Sequence, residues 1–199
     1  YSSAASDVYK RQAYYDGVVE VDLSAIRPMI ALPMHPSNAF TIEELNANLE
    51  DILHACEQDV QKLIGRKDVR LDLCSKIENG KLRVDQGVIA GCAGGLYDSI
   101  YEAASILKGH TGGCGDYALS VYPGSQPIMM ELVRTGVIGE LMASGATIRT
   151  AFCGPCFGAG DVPANGALSI RHTTRNFPSR EGSKPGSGQL TGVALMDAR

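Results

Sequence analysis

The spacing of apolar residues in the first third of the chain predicts one strand and one long helix. Residues 18–23 alternate apolar and acidic side chains, as a half-buried strand does. Thr41 and Glu44 have the spacing of a capping box, which predicts a helix over 42–64 that Gly65 ends. The apolar side of this helix is formed by Leu45, Leu49, Ile52, Leu53, Cys56 and Val60.

Prolines and glycines mark the connections around that helix. Three prolines between residues 28 and 36 predict an extended, irregular path ahead of it, because proline fixes φ and removes a backbone donor. After the helix, apolar runs over 69–77 and 82–84 flank the turn signal at 78–80. This arrangement predicts a β-hairpin.

The second half of the chain alternates short apolar runs with helical periods. Such alternation is typical of βαβ units, so we predict an α/β fold with a mainly parallel sheet flanked by helices. The predicted strands cover residues 88–90, 117–122, 147–152 and 167–173, and the predicted helices cover 97–108, the stretch from Ser125 to about Gly136, and 138–144.

Four chemically related residues fall just beyond the ends of predicted strands. Cys92 follows the strand over 88–90, Cys153 and Cys156 follow the strand over 147–152, and Arg175 follows the last one. Ligands of open parallel sheets bind outside the carboxyl ends of the strands. We therefore expect these residues to share one edge of the sheet.

Composition narrows the classes of protein without identifying one. The 199 residues include 44% hydrophobic and 20% charged side chains, as is usual for a globular domain. A net charge of −4 argues against a broad nucleic-acid surface, and no apolar run approaches the ~20 residues needed to cross a bilayer. Six cysteines in a chain of this size favour reduced thiols and a cytoplasmic compartment over a disulfide framework.

The first twelve residues read as a translated sequencing adapter rather than as native protein. The run Ser-Ser-Ala-Ala-Ser-Asp-Val-Tyr-Lys-Arg-Gln over 2–12 carries this signal. We therefore exclude residues 1–12 from the prediction of the fold, and we expect the natural start of the protein to lie elsewhere.

Cys153-Gly154-Pro155-Cys156 provides two thiols that can converge on one metal centre. Cys92, also beside glycine, raises the number of candidate ligands to three. Three thiolates are one short for a closed structural zinc, but they suit a four-iron cluster with one iron open to substrate. From spacing alone, Cys92 is equally well explained as a small buried residue. Cys56 and Cys74 are interpreted as packing residues, and Cys114 is left open.

Two arginines in a loop after the last predicted strand are candidates for anion binding. Arg175 and Arg180 lie five positions apart among serine, proline and glycine. A guanidinium fork holds a carboxylate through two charge-assisted hydrogen bonds, which lysine does not reproduce. His172 is a candidate for a supporting position near them, although a structural role fits it better.

The chain from about residue 15 onward resembles the third domain of the aconitase superfamily. The pieces that carry the resemblance have matching order and spacing. They are the run over 15–24, Gly91-Cys92, Pro123-Gly124-Ser125, Cys153-Gly154-Pro155-Cys156, and Arg175-Asn176-Phe177 with Arg180.

The resemblance implies that Cys92, Cys153 and Cys156 bind a [4Fe–4S] cluster, and that Arg175 and Arg180 bind substrate carboxylates. The implied activity is that of a hydro-lyase: the reversible dehydration of a hydroxy di- or tricarboxylic acid. The open iron binds the leaving hydroxyl, and a serine takes the proton from carbon. That serine is expected in domains outside this chain, so we expect no catalytic residue here and no turnover by the chain alone.

The resemblance also implies a domain organisation. Residues 13–199 are expected to form a single three-layer α/β/α domain, as a fragment of a larger multidomain enzyme. Its expected partners are the remaining domains of the same protein and a small hydroxy-carboxylate, with neither nucleic acid nor membrane.

The chain departs from the family pattern at two places. The family usually follows its first cluster cysteine with Thr-Asn, whereas Cys92 is followed by Ala93 and Gly94. The family usually has asparagine before the first arginine, whereas this chain has Thr174. The Cys-Ala-Gly-Gly variant is similar to a less characterised hydratase branch of the family.

Two other functions use the same residues. Cys-Gly-Pro-Cys is also the active-site tetrad of thioredoxin-like redox proteins, where the first thiol begins a helix. Here the residues over 157–163 include three glycines or prolines and are unsuited to a regular helix. The second alternative is a regulatory or binding relative that lacks the cluster.

Overall fold

A computed structural model describes residues 16–112, 115 and 117–199 of the chain. The proposed adapter segment over 1–12 and Cys114 lie outside this part. Within it, seven strands form one sheet, and two short strands form the predicted hairpin. The strands are β1 Met29–Ala31, β2 Ala39–Thr41, β3 Ile77–Glu78, β4 Lys81–Leu82, β5 Gln86–Ile89, β6 Ala118–Val121, β7 Thr147–Ile148, β8 Leu168–His172 and β9 Gly192–Met196.

The large sheet has the strand order β2-β1-β9-β8-β5-β6-β7. The five strands from β9 to β7 are parallel to one another, whereas β1 pairs antiparallel with both β9 and β2. The predicted α/β class with a mainly parallel sheet is therefore confirmed.

The first long helix forms as predicted, with one interruption. Thr41 and Glu44 cap each other's backbone in a full capping box, and Gly65 ends the helix in a left-handed conformation. Asn48 leaves helical geometry and divides the segment in two. The helices are α1 Ile42–Ala47, α2 Leu49–Ile64, α3 Gly91–Gly94, α4 Tyr97–Leu107, α5 Gln126–Arg134 and α6 Val137–Ala143.

The two faces of the sheet are covered by different kinds of chain. The helix face carries Ile89 and Val121, which pack with α4, α5 and α6. The loop face carries Val88, Tyr122 and Arg171, which lie under the irregular segment that joins β7 to β8. The helices cover one face of the sheet and this irregular segment covers the other, so the sheet lies between two layers.

The direction of each connection explains this division. The connections from β5 to β6 and from β6 to β7 step along the sheet in the same direction, so a constant crossover hand places their helices on one face. The connection from β7 back to β8 steps in the opposite direction. The same hand therefore sends residues 149–167, with Cys153 and Cys156, across the other face.

Two clusters of buried side chains form the core on the helix face. Buried side chains of α1 and α2 meet β1, β8 and β9 in one cluster, which includes Leu45, Leu53 and Leu168. A second cluster joins α4, α5 and α6 to β5 and β6. The apolar side predicted for the long helix is the side that packs in the first cluster.

The loop face is organised by one buried cation. Arg171 is only 1% exposed. Its Nε donates to Ser169 Oγ over 2.9 Å, and its Nη1 donates to the Pro155 carbonyl over 2.8 Å. Its Nη2 donates to Gln86 Oε1 over 3.0 Å and to the Asp161 carbonyl over 2.8 Å. The guanidinium thus ties two strands to the segment that crosses them.

Several predicted boundaries were wrong. Residues 18–23 are not a strand: Val18 and Val19 are 85% and 89% exposed, and Leu23–Ala25 is a short 3-10 turn. The strand predicted over 147–152 stops at Ile148. β1 lies within the stretch predicted to be irregular, because the three residues between the prolines pair with β2 on one side and with β9 on the other. β2 and β9 were not predicted.

Within the described residues, no helix combines the length and apolar character that crossing a bilayer requires.

Replacing Arg171 tests the cation that organises the loop face. We expect Arg171→Met to lower the free energy of unfolding by about 3 kcal/mol, because buried carbonyls and a buried amide lose their donors. Arg134→Met on exposed α5 is the matched control and should cost less than about 1 kcal/mol. Urea unfolding of both variants measures the difference. Equal losses would contradict the role of Arg171.

Asp85 predicts a pH dependence of stability. Burial raises its pKa, but hydrogen bonds from Lys76 Nζ and the Leu168 N–H, with the charge of Arg83, outweigh burial and leave the pKa below 3.8. A carboxylate with a lowered folded-state pKa stabilises the fold above its unfolded value, and this contribution disappears as pH falls through the folded value.

We therefore expect Asp85→Asn to cost about 3 kcal/mol near neutral pH, where it leaves the ammonium of Lys76 buried without its partner. The cost should shrink when unfolding is measured well below pH 3.8. Asp59→Asn removes an exposed pair with Lys62 and serves as the control. A cost that does not depend on pH would contradict this account.

Candidate metal centre

The turn after β5 brings Cys92 to the edge of the sheet. Gly91 begins α3 with φ +74°, and Cys92 follows it with an exposed side chain. A Cβ on Gly91 would lie 2.7 Å from Cys156 Sγ, which is closer than any side chain tolerates. Glycine is therefore required at position 91, and the turn that carries Cys92 lies directly against the Cys156 sulfur.

Cys153 and Cys156 flank a single 3-10 turn over Gly154–Cys156. The Cys156 N–H donates to the Cys153 carbonyl over 3.1 Å. The Pro155 carbonyl accepts from Arg171, which fixes the turn to the loop face of β8. Cys153 is exposed and Cys156 is buried, so one sulfur faces out of the turn and the other faces the turn after β5.

Burial raises the pKa of the Cys156 thiol above its usual value. The Thr174 backbone N–H lowers the pKa in part, and the neighbouring Cys153 sulfur raises it again. Thr174 begins the loop after β8, so this loop and the Cys156 sulfur are in contact. A thiol in such surroundings becomes a thiolate most readily when a cation is bound to it.

The three sulfurs are not arranged around one small ion. Among the described residues, one group of three metal-binding side chains has its ligand atoms within 4.8 Å of one another, and these cysteines are not in it. A tetrahedral zinc with Zn–S distances of 2.3 Å would draw its sulfur ligands to about 3.8 Å apart.

The two predicted arginines lie on the loop after β8. Both are exposed, and neither forms an ion pair with the described residues. Between them Asn176 is buried and donates to the Leu32 carbonyl over 2.8 Å, which anchors the loop to the end of β1. The Arg180 carbonyl lies 3.2 Å from the position of a Cβ on Gly158, two residues after Cys156.

Two buried polar atoms at this site lack hydrogen-bond partners in the described part of the chain. They are Thr173 Oγ1 and Asn176 Oδ1. Both residues belong to the loop that contacts the Cys156 sulfur. Unsatisfied buried oxygens are costly, and they cluster where a protein binds a ligand.

His172 takes a structural position. It lies at the end of β8 on the helix face, opposite Arg171, and its Nδ1 accepts a hydrogen bond from the Ala198 N–H over 3.2 Å. Burial lowers the pKa of its imidazole. Of the other histidines, His35 packs its ring edge-on against Phe177 in the loop that carries the two arginines, with ring centroids 5.5 Å apart.

Sequence reasoning missed a polar cluster beside the cysteine turn. Tyr122 donates to the Asp161 carboxylate, and Arg149 Nη2 lies 3.2 Å from the same group. Burial, followed by the Asp161 carboxylate, raises the pKa of Tyr122 to about 12. The sequence signal for this cluster was the position of Asp161 between a glycine and a Val-Pro pair. In the structure Asp161 has a φ of +46° and forms a tight turn.

The glycines after Cys92 have a structural reason. A Cβ on Gly94 would collide with the His172 carbonyl. A Cβ on Gly95 would lie 2.7 Å from the Gly124 nitrogen. The family usually places Thr-Asn after this cysteine, and the asparagine would put a side chain at position 94. In this chain glycine stands there, which lets the end of β8 approach closely.

The thioredoxin-like alternative does not fit the geometry. In such proteins the first cysteine begins a regular helix, whose N-terminus lowers the thiol pKa. Here Cys153 precedes three residues of 3-10 turn, and the chain then continues without a helix through residues 157–167.

Comparisons with known proteins place the chain in a family. The model of the Aconitase family (aconitate hydratase) matches residues 2–199. That range includes residues 2–12, whose origin in an adapter stays a prediction.

Similar curated proteins are 3-isopropylmalate dehydratase large subunits. That of Caldanaerobacter subterraneus subsp. tengcongensis is 30% identical over 94% of this chain. Those of Clostridium botulinum (strain Alaska E43 / Type E3) and Moorella thermoacetica are 31% and 29% identical over the same share. In each case the chain spans 36% of the relative's length. Because the model of the Aconitase family matches nearly every residue, the chain belongs to the aconitase family.

Proposed function

We propose that this chain is the cluster-binding part of a hydro-lyase that reversibly dehydrates a hydroxy di- or tricarboxylic acid. Membership of the aconitase family supports the reaction class. The names of the relatives support a substrate of the 3-isopropylmalate type, a hydroxy dicarboxylate. The chain covers about a third of those relatives, so the activity belongs to a longer protein.

The observation that carries this proposal is the contact between the turn after β5 and the Cys156 sulfur. β5 and β8 are neighbours, and the connections that follow them run to opposite faces of the sheet. Such a switch point opens a crevice at the carboxyl ends of the strands, where ligands of α/β sheets bind. Cys92 and Thr174 border this crevice, and Cys156 lies against it.

The residues present fit an iron–sulfur cluster better than a single ion. Cys92, Cys153 and Cys156 provide three thiols on two turns that touch, without the close spacing that one zinc imposes. Thiolates are the usual protein ligands of iron–sulfur clusters. When bound, a [4Fe–4S] cluster held by three thiolates would supply an open iron that acts as a Lewis acid on the substrate hydroxyl.

The arginines would position the substrate beside the thiols. Arg175 directly follows Thr174, whose N–H faces the Cys156 sulfur, and both guanidinium groups are free to take up carboxylates. Two fixed forks orient a dicarboxylate and bring its hydroxyl to a defined place. The base that removes the proton from carbon is expected outside this chain, so the chain alone should show no turnover.

The same proposal covers the organisation of the protein. Residues 13–199 would form one aconitase-type domain, with residues 1–12 a non-native scar. The partners would be the rest of the same protein and, because the relatives are named large subunits, a second subunit. A reducing, cytoplasmic compartment would keep these three thiols free of disulfides, as cluster binding requires.

Replacing Cys153 tests the ligand set. We expect the full-length protein, reconstituted anaerobically with iron and sulfide, to gain a broad visible absorbance that Cys153→Ser loses. Cys74→Ser is the matched control and should keep the absorbance, since the turn that holds Cys74 contacts the chain just before β5, whereas Cys92 follows the end of that strand.

An unchanged spectrum in Cys153→Ser would remove Cys153 from the ligand set. A wild-type protein that never takes up iron and sulfide would favour the regulatory relative without a cluster.

Replacing Arg180 tests the carboxylate role. We expect Arg180→Lys to weaken substrate binding by roughly tenfold or more, because a charge-assisted pair contributes about 1.5–3 kcal/mol and lysine lacks the fork. The cluster spectrum should stay as in the wild type. Arg134→Lys on exposed α5 controls for the loss of a surface guanidinium. Titration with the hydroxy acid, or the KM of the full-length enzyme, provides the measurement; unaltered affinity would count against Arg180.

A further inference from the structure

Three side chains with metal-binding atoms meet at a second place, away from the candidate cluster. His54 and Glu57 project from α2, and Cys74 begins the 3-10 turn Cys74–Lys76. One nitrogen, one carboxylate oxygen and one sulfur lie within 4.8 Å of one another. Cys74 was assigned to packing, and it does pack against the first core cluster. Its meeting with Glu57, 17 residues earlier in the chain, was not predicted.

The Glu57 carboxylate is fixed in place by the backbone that it faces. Its Oε1 accepts hydrogen bonds from the Leu73 N–H over 2.6 Å and from the Cys74 N–H over 2.7 Å. These bonds position the Cys74 backbone as well as the carboxylate. Both hydrogen bonds use only Oε1, and this oxygen holds the turn in place. The second carboxylate oxygen, Oε2, remains available beside the imidazole.

The imidazole of His54 is oriented for the same centre. Its Nδ1 lies 3.9 Å from Glu57 Oε2, which is too long for a hydrogen bond. The Gln58 amide nitrogen lies 2.9 Å from Nε2. Turning this amide by half a turn places its oxygen toward the ring, where it accepts the Nε2 proton. Nδ1 then keeps its lone pair and faces a carboxylate oxygen, as two ligands of one cation do.

The distances suit a small transition-metal ion. Zinc bound to imidazole nitrogen and carboxylate oxygen holds these atoms about 3.4 Å apart. A shift of about half an ångström in the exposed His54 brings its Nδ1 and Glu57 Oε2 to that spacing. An outer partner such as Gln58 is the usual companion of a metal-bound histidine. Mixed nitrogen, oxygen and sulfur ligands favour zinc over magnesium or calcium, which prefer oxygen alone.

We propose that His54, Glu57 and Cys74 bind one divalent ion of the zinc class, with water in the fourth position. Binding releases the Cys74 proton to solvent and fastens α2 to the chain that enters the hairpin. The site is distinct from the cysteine cluster. Lys76, two residues after Cys74, contacts Asp85 just before β5 begins, whereas Cys92 follows the end of that strand.

Cobalt(II) titration of the reduced, metal-free full-length protein tests this site. We expect one equivalent of cobalt to give a thiolate charge-transfer absorbance that zinc displaces. Cys74→Ser should abolish this absorbance, and His54→Gln should weaken cobalt binding by roughly tenfold or more. Gln58→Ala should weaken it by about tenfold through the lost orientation of the ring. Cys153→Ser, the matched control, should keep it.

Three results would overturn the proposal. They are a wild-type protein without the absorbance, an absorbance that survives Cys74→Ser, and one that Cys153→Ser removes. His54 is largely exposed, so His54→Gln should fold even if Cys74→Ser does not. Cobalt affinity unchanged in His54→Gln would overturn the proposal by itself.

Discussion

A buried guanidinium connects the parts of the chain that build the candidate centre. Arg171 joins β5 and β8 to two carbonyls of the crossing segment, that of Pro155 within the cysteine turn and that of Asp161 beyond it. Burial lowers the pKa of this group, and the carboxylates of Glu181 and Asp161 oppose that effect. The four hydrogen bonds compensate for burying a cation under an irregular segment that has few ladder bonds of its own. The position of Cys156 therefore depends on Arg171.

The direction of the crossovers then decides what meets at the edge of the sheet. Because the connection from β7 to β8 reverses the direction of the preceding ones, it crosses the face opposite the helices. Its cysteines arrive beside the turn after β5, and the loop after β8 closes the third side. Glycine at positions 91 and 94 allows these three backbones to approach, which a side chain at either position would prevent. The departure from the family pattern after Cys92 is part of this close packing.

Much of the fold could be predicted because its signals are local. The capping box at Thr41, the turn at Asn79-Gly80 and the short apolar strands each lie within a few residues, and all of them form. The failures are equally instructive. Residues 18–22 alternate like a strand but find no partner in the described sheet, whereas β1 forms between prolines because β9 pairs with it. A strand exists only when another strand satisfies its backbone, and that partner is not a local property.

The sequence by itself determined the chemistry available: thiols beside glycines, arginines in a loop after a strand, and a periodicity that requires helices against a parallel sheet. Tertiary structure alone decided which of these groups meet. It placed the Cys156 sulfur against Gly91, sent His172 to the opposite face, and brought Cys74 to His54 and Glu57 on another element. The reason is physical: residue spacing fixes the periodicity of an element, while contacts between elements depend on crossover direction and on which buried polar groups must find partners.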